Sequence, residues 1–183
     1  MTNVNTKNNQ RFRQTDQKIQ AAYLQLVSEN PDKRVKVIDL CALTHINRAT
    51  FYAHFYAVED VAKALQTEMM AKLVAILDQK TASDLAVGPV LTSFFELVKE
   101  NKTFFYHYFI RINAPGDLNV LQNSKINLRV RAVEAHQEDA ETFQYHLDFF
   151  NGGITAVTKR WLKNDCKTPI PDVVTLITNN IKL

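Results

Sequence analysis

The stretch Thr44 to Phe55, THINRATFYAHF, carries two chemical patterns at once. On a helix beginning at Arg48, Phe51 and Phe55 lie four residues apart and share one face, with Ile46 just ahead of them on the same side. That face clips a short helix onto its neighbours. The opposite surface carries Asn47, Arg48, Ala49, Thr50, Tyr52, Ala53 and His54. A helix enclosed in a core needs only the first set, whereas a helix laid on a polar surface needs both. Ala49 and Ala53 are small enough to let it come close. Arg48 donates in a fork that matches guanine O6 and N7 in a major groove. Asn47, Thr50, the Tyr52 hydroxyl and His54 are of the types that bond phosphate oxygens. The same apolar pattern also suits a helical pair with a tight turn that reads no DNA.

Working upstream, the segment VIDLCAL (37–43) places Val37, Leu40 and Cys41 on one side, Thr44-His45 breaks it, and Asn47 is a good N-cap for the helix Arg48 to His54. Before it, Ile19, Ala22, Tyr23, Leu26 and Val27 recur at helical spacing, and Asn30-Pro31-Asp32 ends that helix. Residues 1–14, MTNVNTKNNQRFRQ, are polar and asparagine-rich and are expected to form a flexible arm, with Thr15 capping the helix that follows. Downstream, Val61, Leu65, Met69, Leu73 and Ile76 form one stripe on a helix from Val58 to about Gln79. Gly88-Pro89 opens VLTSFFELVKE with proline in an acceptable first-turn position. An aromatic-rich stretch runs from Lys102 to Ile112, a helix is expected over Leu118 to His136, and a long one over Asp139 to Asn164. Pro169 and Pro171 introduce the last. The expected class is all-α: an arm (1–14), a helix-turn-helix unit (15–57) and a larger helical body (58–183).

The composition is that of a globular chain able to bury a core: 183 residues, 46% hydrophobic and 22% charged, with only four glycines. The net charge of +3 is unevenly placed. Residues 1–58 hold eight Lys or Arg against four acids, while the chain beyond Asp60 is close to neutral. The positive potential therefore surrounds the opening stretch. Cys41 and Cys166 stand far apart without metal-ligand spacing, and no run of about 18 apolar residues occurs, so the expectation is a cytoplasmic protein with reduced thiols and no membrane segment. Five scattered histidines, with no nucleophile motif and no glycine-rich phosphate loop, point away from catalysis, and no cofactor or metal is expected. A helical protein-interaction module is the alternative function. A partner helix on the Arg48/Thr50/Tyr52 face would call for large apolar groups that the sequence lacks.

The run VIDLCALTHINRATFYAHF resembles the DNA-binding motif of the tetracycline-repressor (TetR/AcrR) family of transcriptional regulators. Val37, Asp39, Leu40 and Cys41 fit its first helix, and Ile46, Arg48, Thr50, Phe51, Tyr52 and Phe55 its second. The resemblance implies a homodimeric regulator, most simply a repressor. It would bind a near-palindromic double-stranded operator through Lys36, Asn47, Arg48, Ala49, Thr50, Tyr52, Ala53 and His54. Two recognition helices about 34–36 Å apart would meet successive major grooves. Two departures stand out. The family usually has glycine where this chain has His45, a position expected to need positive φ. It also tends to place a lysine at or just after Tyr56, where Tyr56-Ala57-Val58 leave backbone amides and the helix dipole to serve instead. Lys36, Arg11 and Arg13 are candidates to supply the missing phosphate contacts.

Gly152-Gly153 inside the predicted long helix costs about 1 kcal/mol per glycine relative to alanine, which a close approach by another helix, or a kink, would explain. FFNGGITAVTKRWL looks like the dimerising helix of some small family members. The resemblance implies an interface lined by Phe149, Phe150, Gly152, Gly153, Ile154, Val157 and Trp161. It also implies a small-molecule effector in the body. The stretch FFYHYFIRI offers Tyr106, His107, Tyr108 and Arg111 as pocket residues, although aromatics at helical spacing more often fill a core.

Overall fold

A computed structural model of the chain describes residues 4–30, 32–79, 87–111 and 140–180. Every regular element among them is helical: α1 (Val4–Glu29), α2 (Val37–Thr44), α3 (Arg48–His54), α4 (Val58–Gln79), α5 (Val87–Glu100), α6 (Lys102–Tyr106) running on into a π-helical turn (His107–Arg111), α7 (Ala140–Lys163) and α8 (Ile170–Asn180). The chain forms two units, Met1–Met69 and Met70–Leu183, with the boundary inside α4. The helix predicted for Leu118 to His136 lies outside the described residues.

In the first unit, Ile19, Ala22, Tyr23 and Val27 of α1 are buried together with Leu40 and Cys41 of α2, Phe51 of α3, Phe55 just after it, and Val61, Leu65 and Met69 of α4. Each helix contributes the stripe that its spacing implied. Burying one such side chain contributes about 1.5–3 kcal/mol, enough to hold helices too short to persist alone. The first helix departs from expectation at its start. It reaches back to Val4, so residues 4–14 are helical and not an arm, and Thr15 is interior. The Thr15 hydroxyl, expected as a cap, donates instead to the Arg11 carbonyl one turn earlier at 3.1 Å. The lysine, arginine and glutamine residues of this stretch are good helix formers, and residues 10–14 are exposed.

The second unit is built on aromatic packing. The rings of Phe104 and Tyr108 stack, as do those of Phe105 and Phe109, each pair four residues apart. Phe94 and Phe95 of α5 are buried, and Phe95 meets the Trp161 ring edge-on at 5.2 Å between centroids. Helix α8 packs along α5, and α6 against α7. Helix α7 ends in a tight reversal. The Cys166 amide donates to the Trp161 carbonyl and the Asp165 amide to that of Leu162, while Asp165 and Cys166 both take positive φ (60° and 55°). The Trp161 indole N–H donates to the Thr168 carbonyl at 2.8 Å, and the Lys102 ammonium pairs with Asp165, so α6 and this corner are joined. Both cysteines are free thiols in the interior.

Candidate nucleic-acid interface

The reading surface begins with how α2 starts and stops. The Lys36 amide donates to the Asp39 carboxylate at 3.3 Å, which caps α2 and leaves the Lys36 side chain exposed. At the other end, the Ile46 amide bonds the Cys41 carbonyl and the His45 amide that of Ala42, with His45 in the left-handed region (φ 55°, ψ 39°). This is a Schellman closure with histidine in the position glycine normally fills, as the departure from the family pattern led one to expect. The buried Thr44 hydroxyl donates to the Leu40 carbonyl at 2.6 Å.

Asn47 then starts α3, its Oδ1 accepting from the Thr50 amide at 2.7 Å. The cap fixes Asn47 and leaves only its NH2 group to reach outward. Phe51 is fully enclosed and Phe55 nearly so. On the other side Arg48, Ala49, Tyr52 and Ala53 are exposed and Thr50 half-buried, with the Tyr52 ring 55% exposed and braced edge-on by Phe51. The two faces read from the sequence are both present.

His54 is not on the open face. Its side chain is only 7% exposed, its Nδ1 lies 2.7 Å from the Asp16 carboxylate, and its ring stacks on Phe12 at 3.9 Å between centroids. A carboxylate only accepts, so Nδ1 donates. The expected phosphate ligand is thus a strut between α3 and α1. The reason is the early start of α1, which brings Phe12 and Asp16 against the end of α3.

The start of α4 also differs from expectation. The Ala57 amide, proposed to stand in for the absent lysine, already donates to the Asp60 carboxylate at 2.9 Å. Glu59 in the same turn pairs with Arg34 at 2.8 Å, and that hydrogen bond is the main cause holding its carboxyl below the usual range. The positive end of α4 is satisfied by its own acids. Tyr56 beside it is a surface aromatic, 90% exposed. Lys36, Arg11 and Arg13 all remain exposed cations of this unit.

In the second unit, the four aromatic-stretch residues separate. Tyr108 is buried in the stack with Phe104 and belongs to the core. Tyr106 and His107 are half-buried, and Arg111 is exposed. Burial first, and then Arg111, holds the His107 imidazole below its usual range. Among the seven residues expected at a dimer interface, Ile154 and Trp161 are buried within the protomer, Trp161 by its packing on Phe95 and its bond to Thr168. They sit on the inner stripe of α7. Phe150 and Val157 are half-buried at its edges. The outer stripe holds Phe149, 79% exposed, and Gly152 and Gly153, where an added Cβ would meet nothing within 4 Å. Tyr145 and Leu176, both exposed, were missed. Tyr145 precedes Phe149 by one helical turn, a spacing that could have revealed it. Among the described residues no helix is long and apolar enough to cross a membrane, and no group of three or more His, Cys, Asp or Glu is placed to hold a metal.

A capped turn between two short helices, one offering a polar face, ahead of an all-helical body, defines the helix-turn-helix class of transcription regulators. A TetR family model described as the transcriptional regulator C-terminal region matches residues 87–183. The chain belongs to the TetR family of transcriptional regulators. Three solved structures share the fold. A fatty acid degradation regulator, FadR, from Bacillus halodurans is 18% identical, with 90% of this chain and 92% of that one covered and a TM-score of 0.69. A TetR transcriptional regulator from Streptococcus agalactiae 2603V is 20% identical, with 99% and 100% covered and a TM-score of 0.68. The dihydroxyacetone kinase operon activator DhaS is 17% identical, with 90% and 92% covered and a TM-score of 0.65. No curated protein sequence matches the chain.

Proposed function

We propose that the chain is a homodimeric, cytoplasmic, sequence-specific DNA-binding regulator that represses transcription by occupying a near-palindromic operator. The observation that carries this is the division of α3: Phe51 and Phe55 are enclosed while Arg48, Ala49, Tyr52 and Ala53 face solvent. Such a helix is held firmly and presents a fork donor, a phenol and two small residues suited to close contact with base edges. Lys36, Asn47 and Thr50 flank it as phosphate contacts, with Arg11 and Arg13 outside them.

The second copy sits on the outer stripe of α7, where Phe149 and Gly152-Gly153 leave an exposed ring beside a side-chain-free strip. Self-complementary surfaces of this kind suit a two-fold dimer. An effector then acts by favouring a spacing of the two reading heads that does not fit successive grooves. Repression is the economical mode, since occlusion needs nothing beyond the bound dimer. One structural relative is described as an operon activator, so a promoter fusion decides the sign.

Selection of random duplex DNA on the purified protein tests the reading directly. A two-fold symmetric site with half-sites about one helical turn apart supports it. Failure of any sequence to enrich, with a shallow salt dependence, would replace it with a protein-interaction role for the same face.

A further inference from the structure

The placement of the strut formed by Phe12, Asp16 and His54 says what it does beyond joining α3 to α1. Phe51 of the seven-residue α3 and Phe55 at its C-cap are enclosed and define one line of contact, which by itself resists rolling about that line only weakly. At about 100° per residue, taking Phe51 as the origin, Phe55 lies roughly 40° to one side and Arg48 roughly 60° to the same side. Tyr52, Ala49 and Ala53 follow at roughly 100°, 160° and 200°. His54 lies roughly 60° to the other side, on the flank away from Arg48. The hydrogen bond from His54 to Asp16 and the ring stack on Phe12 therefore pin the one flank that the phenylalanines leave free.

From this we infer that His54, held by Asp16 and Phe12, is a positioning residue that sets the roll of α3. It thereby fixes the base-pair register at which Arg48 and Tyr52 meet the groove. The inference rests on the DNA-reading role proposed above. It concerns specificity: a helix that rolls by some tens of degrees keeps its cationic surroundings and its phosphate contacts but no longer aims one fork donor at one base. Rolling costs aim, because a bidentate pair tolerates little angular error. Asp16 is the first acid of the chain, and its carboxylate faces His54.

The experiment is random-duplex selection with full-length wild type, His54→Ala, Asp16→Ala and His54→Asn, each first shown by thermal melting to be folded at the assay temperature. Asparagine places an N–H where Nδ1 stands, so His54→Asn keeps the hydrogen bond and loses the stack. The expected result is that both alanine variants keep binding DNA with an unchanged salt slope. Their preference at the base pair read by Arg48 falls from roughly tenfold or more towards unity. His54→Asn recovers most of that preference. If both alanine variants keep the wild-type base profile and simply bind every sequence more weakly, the strut is only structural and the proposal falls. If wild type itself enriches no site, the DNA-reading role fails, and the positioning role with it. The wild-type lane thus separates the two failures.

Discussion

His45 holds a backbone conformation that glycine adopts freely and that costs an L-residue about 1–2 kcal/mol. Its side chain is exposed and no packing depends on it. His45→Gly should therefore raise stability by about 0.5–1 kcal/mol after glycine's own entropy cost is set against the relief. Urea denaturation measures this, and a loss of stability would mean that the imidazole makes a contact worth more than the strain. Arg48 supports a different kind of prediction. Arg48→Ala should cost about 1–3 kcal/mol against the selected operator and relax discrimination at one base pair. A uniform loss across all sequences would assign Arg48 to the phosphate backbone instead. Both residues were legible in the sequence, His45 from the glycine it replaces and Arg48 from its place in the motif and its fork-shaped donor. His54 was not. Its neighbour in space is 38 residues away in α1, and a polar histidine on a short helix gives no sign of which flank is covered.

At the scale of the element, helix ends were legible wherever a side chain dictates them. Asn47 caps α3, the bounds of α4 fall where its apolar stripe begins and fades, and Gly88-Pro89 lies in the opening turn of α5. The start of α1 was misjudged because composition was taken for conformation: asparagine and charge mark exposure, and an exposed helix looks the same. The aromatic segment shows another limit. Spacing of four pairs Phe104 with Tyr108 and Phe105 with Phe109, but the change to a π-helical turn at His107 has no sequence mark. That turn leads to a pH prediction. Because burial and Arg111 depress the His107 pKa, the folded chain holds fewer protons at this site than the unfolded one. Its contribution to stability is complete above the unfolded value of about 6.5 and is lost as pH falls below it. Between roughly pH 7.5 and 5.5, the melting temperature of wild type should drop more steeply than that of His107→Asn. Parallel curves would remove His107 as a cause.

For the whole molecule, Gly152-Gly153 suggested either a close approach to α7 or a kink in it, but the sequence could not say which residues of α7 face inward. Ile154 and Trp161 are apolar at the same spacing as the outer stripe, and only their burial distinguishes them, that of Trp161 against Phe95 of α5. Gly153→Leu exploits the open outer face. Since a side chain there meets nothing in its own protomer, the substitution should raise helix stability by about 1 kcal/mol and yet abolish the dimer. Sedimentation equilibrium alongside a thermal melt reads both, and an unchanged dimer mass would place the interface elsewhere.

The contiguity of the first unit bears on how the protein is born. The contacts described above that shape the surface of α3, from Phe12 and Asp16 on α1 to His54 on α3, lie within Met1–Met69. That stretch can leave the ribosome and close while the rest is still being translated. The second unit has no such head start, because α5 packs on α8, much later in the chain. A nascent chain can therefore complete its helix-turn-helix before the second unit has closed. Under the dimeric DNA-binding function proposed above, premature termination after the first unit would release single heads that occupy a half-site without holding it.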